Sequence, residues 1–346
     1  MTSEGPMRIL YVAYRYDYGH QDRGPSFEHS NFYESLVAMG HDIDYFDTGT
    51  LLAGLGRDAM NAELARRAMA TTPDLLFACL TNDELDPDVV SGITSSGIPT
   101  FNWFCDDHWR FESFTQRWAP CFTSVSTTAA SALPKYAAIG YDSVIKTQWA
   151  AADSLYRRRG LPLRYDVTFV GQCYGDRPET LQRLREAGLD VQRWGTGWDV
   201  RFADRVIARL PVIGASGGRD RLERIRARTR CSQESMLEIF EQSRLNLNLV
   251  EASQGGEPQI KGRTFEVPAC GGFLLDGRTE GIEEYFEPGV EIALYDDAED
   301  MVAQAKHYLG HEAERARVAA AGHRRTHAEH TYRARFAAIF RTMGVS

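Results

Sequence analysis

Short apolar runs alternate along the chain with longer stretches of helical spacing. "MRILYVAY" (Met7 to Tyr14) reads as a buried strand, and "RYDYGHQDRGPS" after it as a loop with turn chemistry. "FEHSNFYESLVAMG" brings Phe27, Phe32, Leu36 and Met39 round at helical intervals, and Gly40 is placed to end that helix. "HDIDYFD" returns as a strand and completes one strand–helix–strand unit. "PDLLFACL", "IPTFNWFCDD", "FTSVSTT" and "YDSVIKTQW" continue the alternation. Strands separated by helices pair in parallel through right-handed crossovers.

The periodicity lapses over "DSLYRRRGLPLR" (Asp153 to Arg164), a polar stretch with Gly and Pro that suits a linker, and then restarts. "YDVTFVG" and "DVQRWG" are strands around the helix "RPETLQRLREAG", with Pro178 near its start and Gly188 at its end. "SQESMLEIFEQS" is a helix capped by Ser232. "RLNLNLV" sets Leu245, Leu247 and Leu249 on one face against Asn246 and Asn248 on the other. "GFLLDG", a short helix "GIEEYF", "VEIALY" and long C-terminal helices follow. The expected architecture is α/β: two tandem doubly wound domains over 1–158 and 159–330. A last helix over 331–346 is expected to return toward the first domain.

A length of 346 residues agrees with two cores rather than one. The net charge of −9 argues against nucleic acid as a partner, since phosphate-backbone binding needs a basic surface. No apolar run reaches the roughly 18 residues of a membrane span, and "MRILYVAY" lacks the flanks of a signal peptide, so a cytoplasmic protein is expected. Six scattered cysteines fit reduced thiols better than a disulfide framework or a structural zinc. One stretch departs from the acidic balance: Arg201 to Arg230 holds nine Arg against Asp204, Asp220 and Glu223, a solvated face or an anion-binding patch. Only four of the 39 basic residues are Lys, and Lys261 is one of them.

Open parallel sheets bind ligands at the carboxyl ends of their strands. Two loops occupy such positions: Gly19 to Ser26 with Arg23 and Gly24, and "GQCYGDR", Gly171 to Arg177. Neither loop has the glycine spacing of a dinucleotide fingerprint or of a phosphate loop. "EPQIKGRTFEVPACGGFLLDG" (Glu257 to Gly277) is more informative. A helix beginning at Arg263 would turn early amides and a positive dipole end toward an anion, with Lys261 and Arg263 adding full charges. Glu266 shares the face of Gly262 and Arg263 and could hold both hydroxyls of a ribose, and Ala269, Gly271 and Gly272 permit close approach. The alternative is an internal Arg263/Glu266 ion pair packed on a glycine-shaped groove. "FCDDHW" is the other candidate: Asp106 or Asp107 could take a proton from an acceptor and His108 could bind its hydroxyls, or Asp106 simply caps the next helix. The histidines from His307 to His330 fit a solvated amphipathic tail better than metal pairs, and no metal site is expected.

"FEVPACGGFLLDGRTEGIEEYFEPGVEIALY" and the helical tail resemble the C-terminal half of group 1 glycosyltransferases, most nearly the CgeB-like spore-maturation subgroup. The matching features are Glu266, the segment Ala269-Cys270-Gly271, the acidic helix Glu280 to Glu284, and Gly289. The resemblance implies a GT-B fold, two Rossmann-like domains facing a cleft, with the donor on the second and the acceptor mainly on the first. It implies transfer of a sugar from a UDP- or GDP-type donor to a hydroxyl or amine, retaining and without a metal or other cofactor. A non-catalytic nucleotide-sugar or glycan binder and a nucleotide-sugar epimerase are the alternatives. By position, Glu266 matches the ribose carboxylate, while Lys261, Arg263, Thr264, Arg177 and Gly171 surround the donor. Arg23 and Gly24 fall on the acceptor side. The family's second Glu, eight positions earlier, lands on Pro258, so Glu257 is its nearest substitute, and Cys105 stands where the family often has a His.

Overall fold

The computed structural model describes residues 5–207, 222, 225, 228–252, 254 and 257–345. Most of the Arg201 to Arg230 stretch therefore lies outside the described residues. Two compact units divide the chain: residues 1–155 with 327–346, and 156–326. The sequence placed the divisions at 158/159 and 330/331, a few residues later.

In the first unit six parallel strands form one sheet: β1 (Arg8–Ala13), β2 (Asp42–Asp47), β3 (Leu75–Ala78), β4 (Thr100–Trp103), β5 (Ser124–Thr127) and β6 (Val144–Lys146). Their order is β2-β1-β3-β4-β5-β6, so the chain reverses its direction of travel between β1 and β3. Register is continuous, from Arg8 opposite Asp42 to Ala13 opposite Asp47, and from Ile9 opposite Leu75. "ILYVA" is buried throughout, as befits a strand with helices on both faces. The helix expected over Phe27 to Met39 passes through a wide π turn, His29–Tyr33, before the regular Glu34–Ala38. The helix Tyr332–Met343 packs on this unit, its Tyr332 and Phe336 rings meeting Phe32 at 4.9 and 5.5 Å.

The second unit has five parallel strands: β7 (Tyr165–Val170), β8 (Val191–Trp194), β9 (Ser243–Leu247), β10 (Leu274–Gly277) and β11 (Ala293–Tyr295). Their order is β11-β10-β9-β7-β8, and the reversal falls between β7 and β9. Leu245, Leu247 and Leu249 enter a core with Val167, Phe169 and Leu275. The Asn face of β9 is buried too, which alternation does not foretell. The Asn246 amide donates to the carbonyls of Phe240 (2.9 Å) and Phe273 (3.2 Å), and Asn248 donates to Asp276 (2.8 Å). Each buried amide is thus matched, as burial of polar groups requires. Ser232 caps the helix Gln233–Gln242 through the amide of Ser235. Among the described residues no helix is long and apolar enough to cross a membrane.

Candidate active site

Ligands of doubly wound sheets settle where strand order reverses, at the carboxyl ends. In the second unit that point lies beyond Val170 and Leu247, and two arginines converge on it. Arg177 donates to the carbonyls of Gln172 and Leu249, both at 3.0 Å, and lies over the Tyr174 ring at 3.7 Å. It is a buried strut tying the loop after β7 to the segment after β9, not a cation presented to a ligand. Burial lowers its pKa, with Tyr174 and Glu251 opposing.

Arg263 is placed differently. Its Nε donates to the Val170 carbonyl (3.3 Å) and its Nη1 to Glu266, while the plane lies over Phe240 at 5.2 Å. Its Nη2 has no hydrogen-bond partner among the described residues, and 29% of the side chain is exposed. Burial opposes its charge, but Glu266 holds its pKa above the ordinary value. The outcome is a guanidinium fixed at the switch point with donors to spare.

Glu266 itself is buried, one oxygen bonded by Arg263 and the other by the Tyr156 hydroxyl (3.0 Å). The internal ion pair is therefore the arrangement the structure adopts, and Glu266 offers no exposed carboxylate to a ribose. Thr264 is also turned inward, its hydroxyl on Asp276 at 2.7 Å. The expectation of free helix amides is corrected as well. Arg263–Ala269 is only seven residues long, and the amides of Thr264, Phe265 and Glu266 bond back to Lys261 and Gly262. The thin segment likewise serves the fold. A Cβ on Gly272 would stand 2.5 Å from the Phe240 carbonyl, and one on Gly271 would meet the Arg158 stem at 3.0 Å. What approaches these glycines closely is the protein's own backbone and linker.

Asp276, not singled out from the sequence, is buried next to the last residue of β10. Burial pushes its pKa up to about 6, against hydrogen bonds from Thr264, Asn248 and the Gly277 amide and the charge of Lys261. A carboxylate closing the apolar strand "LLDG" was the available signal. Lys261, half-buried, precedes the Arg263 helix, and its carbonyl receives the Thr264 amide. Gly171 follows β7, and its carbonyl accepts from the Trp198 indole (2.8 Å). Glu257 is exposed, and its carbonyl accepts the Ala252 amide beside the antiparallel bridge between Glu251 and Pro258.

The first unit has its own switch-point cavity, about 180 Å³, between the ends of β1, β3 and β4. Asp17, Glu28, Asp106 and Arg110 line it together with the thiols Cys79 and Cys105. Asp106 stands at the start of the helix Asp107–Arg110 without a side-chain capping bond, so the capping alternative is not realised. Asp107 points away: it is buried and accepts from Thr115 (2.6 Å) and Tyr136 (2.8 Å). It braces the turn after β4 and does not line the cavity. His108, Arg23 and Gly24 lie outside the cavity lining, although the Gly24 carbonyl accepts the Asp17 amide (3.1 Å) and so places a residue that does line it. Glu28, which the sequence reading passed over, has its pKa raised by burial, with Asp17 and Asp106 adding to it and Ser26 opposing.

Comparison with known proteins agrees with this frame. Residues 177–341 match the family described as glycosyl transferase-like. No curated protein matches the chain in sequence. Among solved structures the chain is similar to Alr3699/HepE from Anabaena, crystallised with UDP and glucose, at 13% identity and a TM-score of 0.57, covering 96% of this chain and 98% of that one. It is similar to a sucrose-phosphate synthase from Thermosynechococcus elongatus at 12% identity and TM-score 0.59, covering 97% of each. It is similar to a glycosyltransferase from Rickettsia africae at 13% identity and TM-score 0.59, covering 99% and 100%. The fold is GT-B, the two-domain α/β architecture that these neighbours share.

Proposed function

We propose that the protein transfers a sugar from a nucleoside-diphosphate donor to an acceptor hydroxyl or amine. The observation that carries the proposal is Arg263, held at the switch point of the second unit's sheet by Val170 and Glu266 with Nη2 still unengaged. As the glycosidic bond breaks, charge grows on the leaving diphosphate, and a fixed guanidinium beside Lys261 opposes that charge without reorganising. Glu266 then acts through Arg263, orienting it, and Arg177 fixes the loops that frame the nucleotide near Gly171. In the first unit the cavity of Asp17, Glu28 and Asp106 suits an acceptor whose hydroxyls need hydrogen-bond acceptors and a base.

The finer reading is a hexosyl transfer from a UDP- or GDP-sugar, retaining and metal-independent, in a CgeB-like member of the superfamily. It is supported by the resemblance around Glu266 to Gly289 and by the two cations, Lys261 and Arg263, just before that segment. Six free thiols fit a reducing cytoplasm, and a net charge of −9 fits a small-molecule or glycan acceptor better than nucleic acid. The test is release of nucleoside diphosphate by the purified protein from a panel of UDP- and GDP-sugars, with product masses read alongside. Binding without release from any donor would overturn the enzymatic reading in favour of a binder.

A further inference from the structure

A second cavity, about 270 Å³, lies in the second unit at the amino ends of the strands, lined by Ser243 and Arg244 of β9 and Phe273 just before β10. It is at the edge of the sheet opposite the switch point, about 15 Å away along a five-residue strand. Its volume is just below the range of about 300–1,000 Å³ common for small-molecule sites.

Its lining carries Arg158, Arg244 and Arg315 against Glu241 and Glu312. Arg315 lines the cavity at only 5% exposure. One of its nitrogens, Nη1, donates to the carbonyls of Tyr308 (2.7 Å) and Leu309 (3.5 Å). No carboxylate among the described residues forms an ion pair with it. Buried arginines are almost always paired, because an uncompensated charge in the interior is strongly unfavourable. Arg158, at the rim with its stem on Gly271, has no hydrogen-bond or ion-pair partner among the described residues either. The nearby carboxylates are committed or exposed. Glu241 accepts the amides of Arg159, Gly160 and Leu161, Asp166 pairs with Arg244 at 2.6 Å, and Glu312 is exposed. Burial lowers the pKa of Arg315, with Glu312 and Asp166 opposing from a distance and Arg244 adding to it, and an arriving anion would oppose it further.

We propose that this cavity binds a small organic anion, a phosphomonoester or carboxylate, with its charged group on Arg315 and Arg158 and its body against Phe273 and Ala319. The site is separate from the donor edge and does not depend on what is transferred there.

Arg315→Met tests the site directly, but the buried position makes its folding uncertain, so two milder variants carry the experiment. Arg158→Ser changes an exposed side chain. Ala316→Glu sets a carboxylate on the exposed part of the cavity lining. The full chain is titrated with inorganic phosphate in one arm and citrate in the other, at constant ionic strength with chloride as reference, following melting temperature and equilibrium binding. Saturable binding of either anion by the wild type is expected, and the stronger arm identifies the class. Both variants should bind at least about tenfold more weakly, as expected for loss of a charge-assisted contact. Wild-type affinity in both variants, or no saturable binding of either anion, overturns the proposal.

Discussion

Arg263 and Glu266 allow the structural and the catalytic weight of one side chain to be separated. In Arg263→Met the Glu266 carboxylate, 1% exposed, keeps only the Tyr156 hydroxyl. Removing one partner of a buried pair costs about 3–5 kcal/mol. The Arg263 side chain is 29% exposed, so solvent screening brings the expectation to the lower end, roughly 3 kcal/mol. In a unit of this size each kcal/mol moves the melting temperature by roughly 2–4 °C, giving a fall of about 6–12 °C. Glu266→Gln in the same chain removes the stranded charge while keeping shape and a hydrogen bond to Tyr156. Most of the lost stability should therefore return in the double variant, a coupling that a double-mutant cycle measures. Turnover should not return. Without the guanidinium the leaving group loses its fixed counter-charge, and both variants should release nucleoside diphosphate about a hundredfold more slowly or worse. Thermal melts and a nucleoside-diphosphate release assay on the four proteins suffice. A double variant no more stable than Arg263→Met refutes the buried-pair energetics. A double variant with near wild-type turnover removes Arg263 from the donor site.

Asp276 gives a pH prediction. Its folded pKa of about 6 lies above the ordinary 3.8, so its contribution to stability is full below about pH 4 and is lost as pH rises through about 6. Above that the buried charge costs about 3 kcal/mol at 1.36 kcal/mol per unit. Asp276→Asn can keep the contacts to Thr264 and Asn248, and should be more stable than wild type above neutrality with a flatter profile below it. Urea unfolding across that window checks this, and parallel profiles for the two proteins count against it. The neighbours Asp106 and Asp107 should separate cleanly. Asp106→Asn is expected to lower turnover by about tenfold to a hundredfold with little change in melting temperature. Asp107→Asn should lose about 1–2 kcal/mol of stability and keep most of its turnover, and the reverse pattern would return the base to Asp107.

Much of the fold was written in one-dimensional pattern. Apolar runs such as "ILYVA" and "LLFA" can be satisfied only between two layers of helices, and their alternation with helical spacing leaves parallel pairing as the solution. That Arg263 meets the carboxyl end of β7 was legible for the same reason, because it follows strands whose carboxyl ends must share one edge. What each polar side chain does there was not. Helical spacing puts Glu266 on the face of Arg263, but only packing decides that the hydroxyl of Tyr156, more than a hundred residues earlier, takes its second oxygen. The two carboxylates of "CDDH" are equivalent in sequence, yet Tyr136 and Thr115 claim one and the cavity receives the other. Burial and partnership are set by segments far apart in the chain. Periodicity therefore determined which elements form and which ends meet, and tertiary contact alone determined which charges remain free to act.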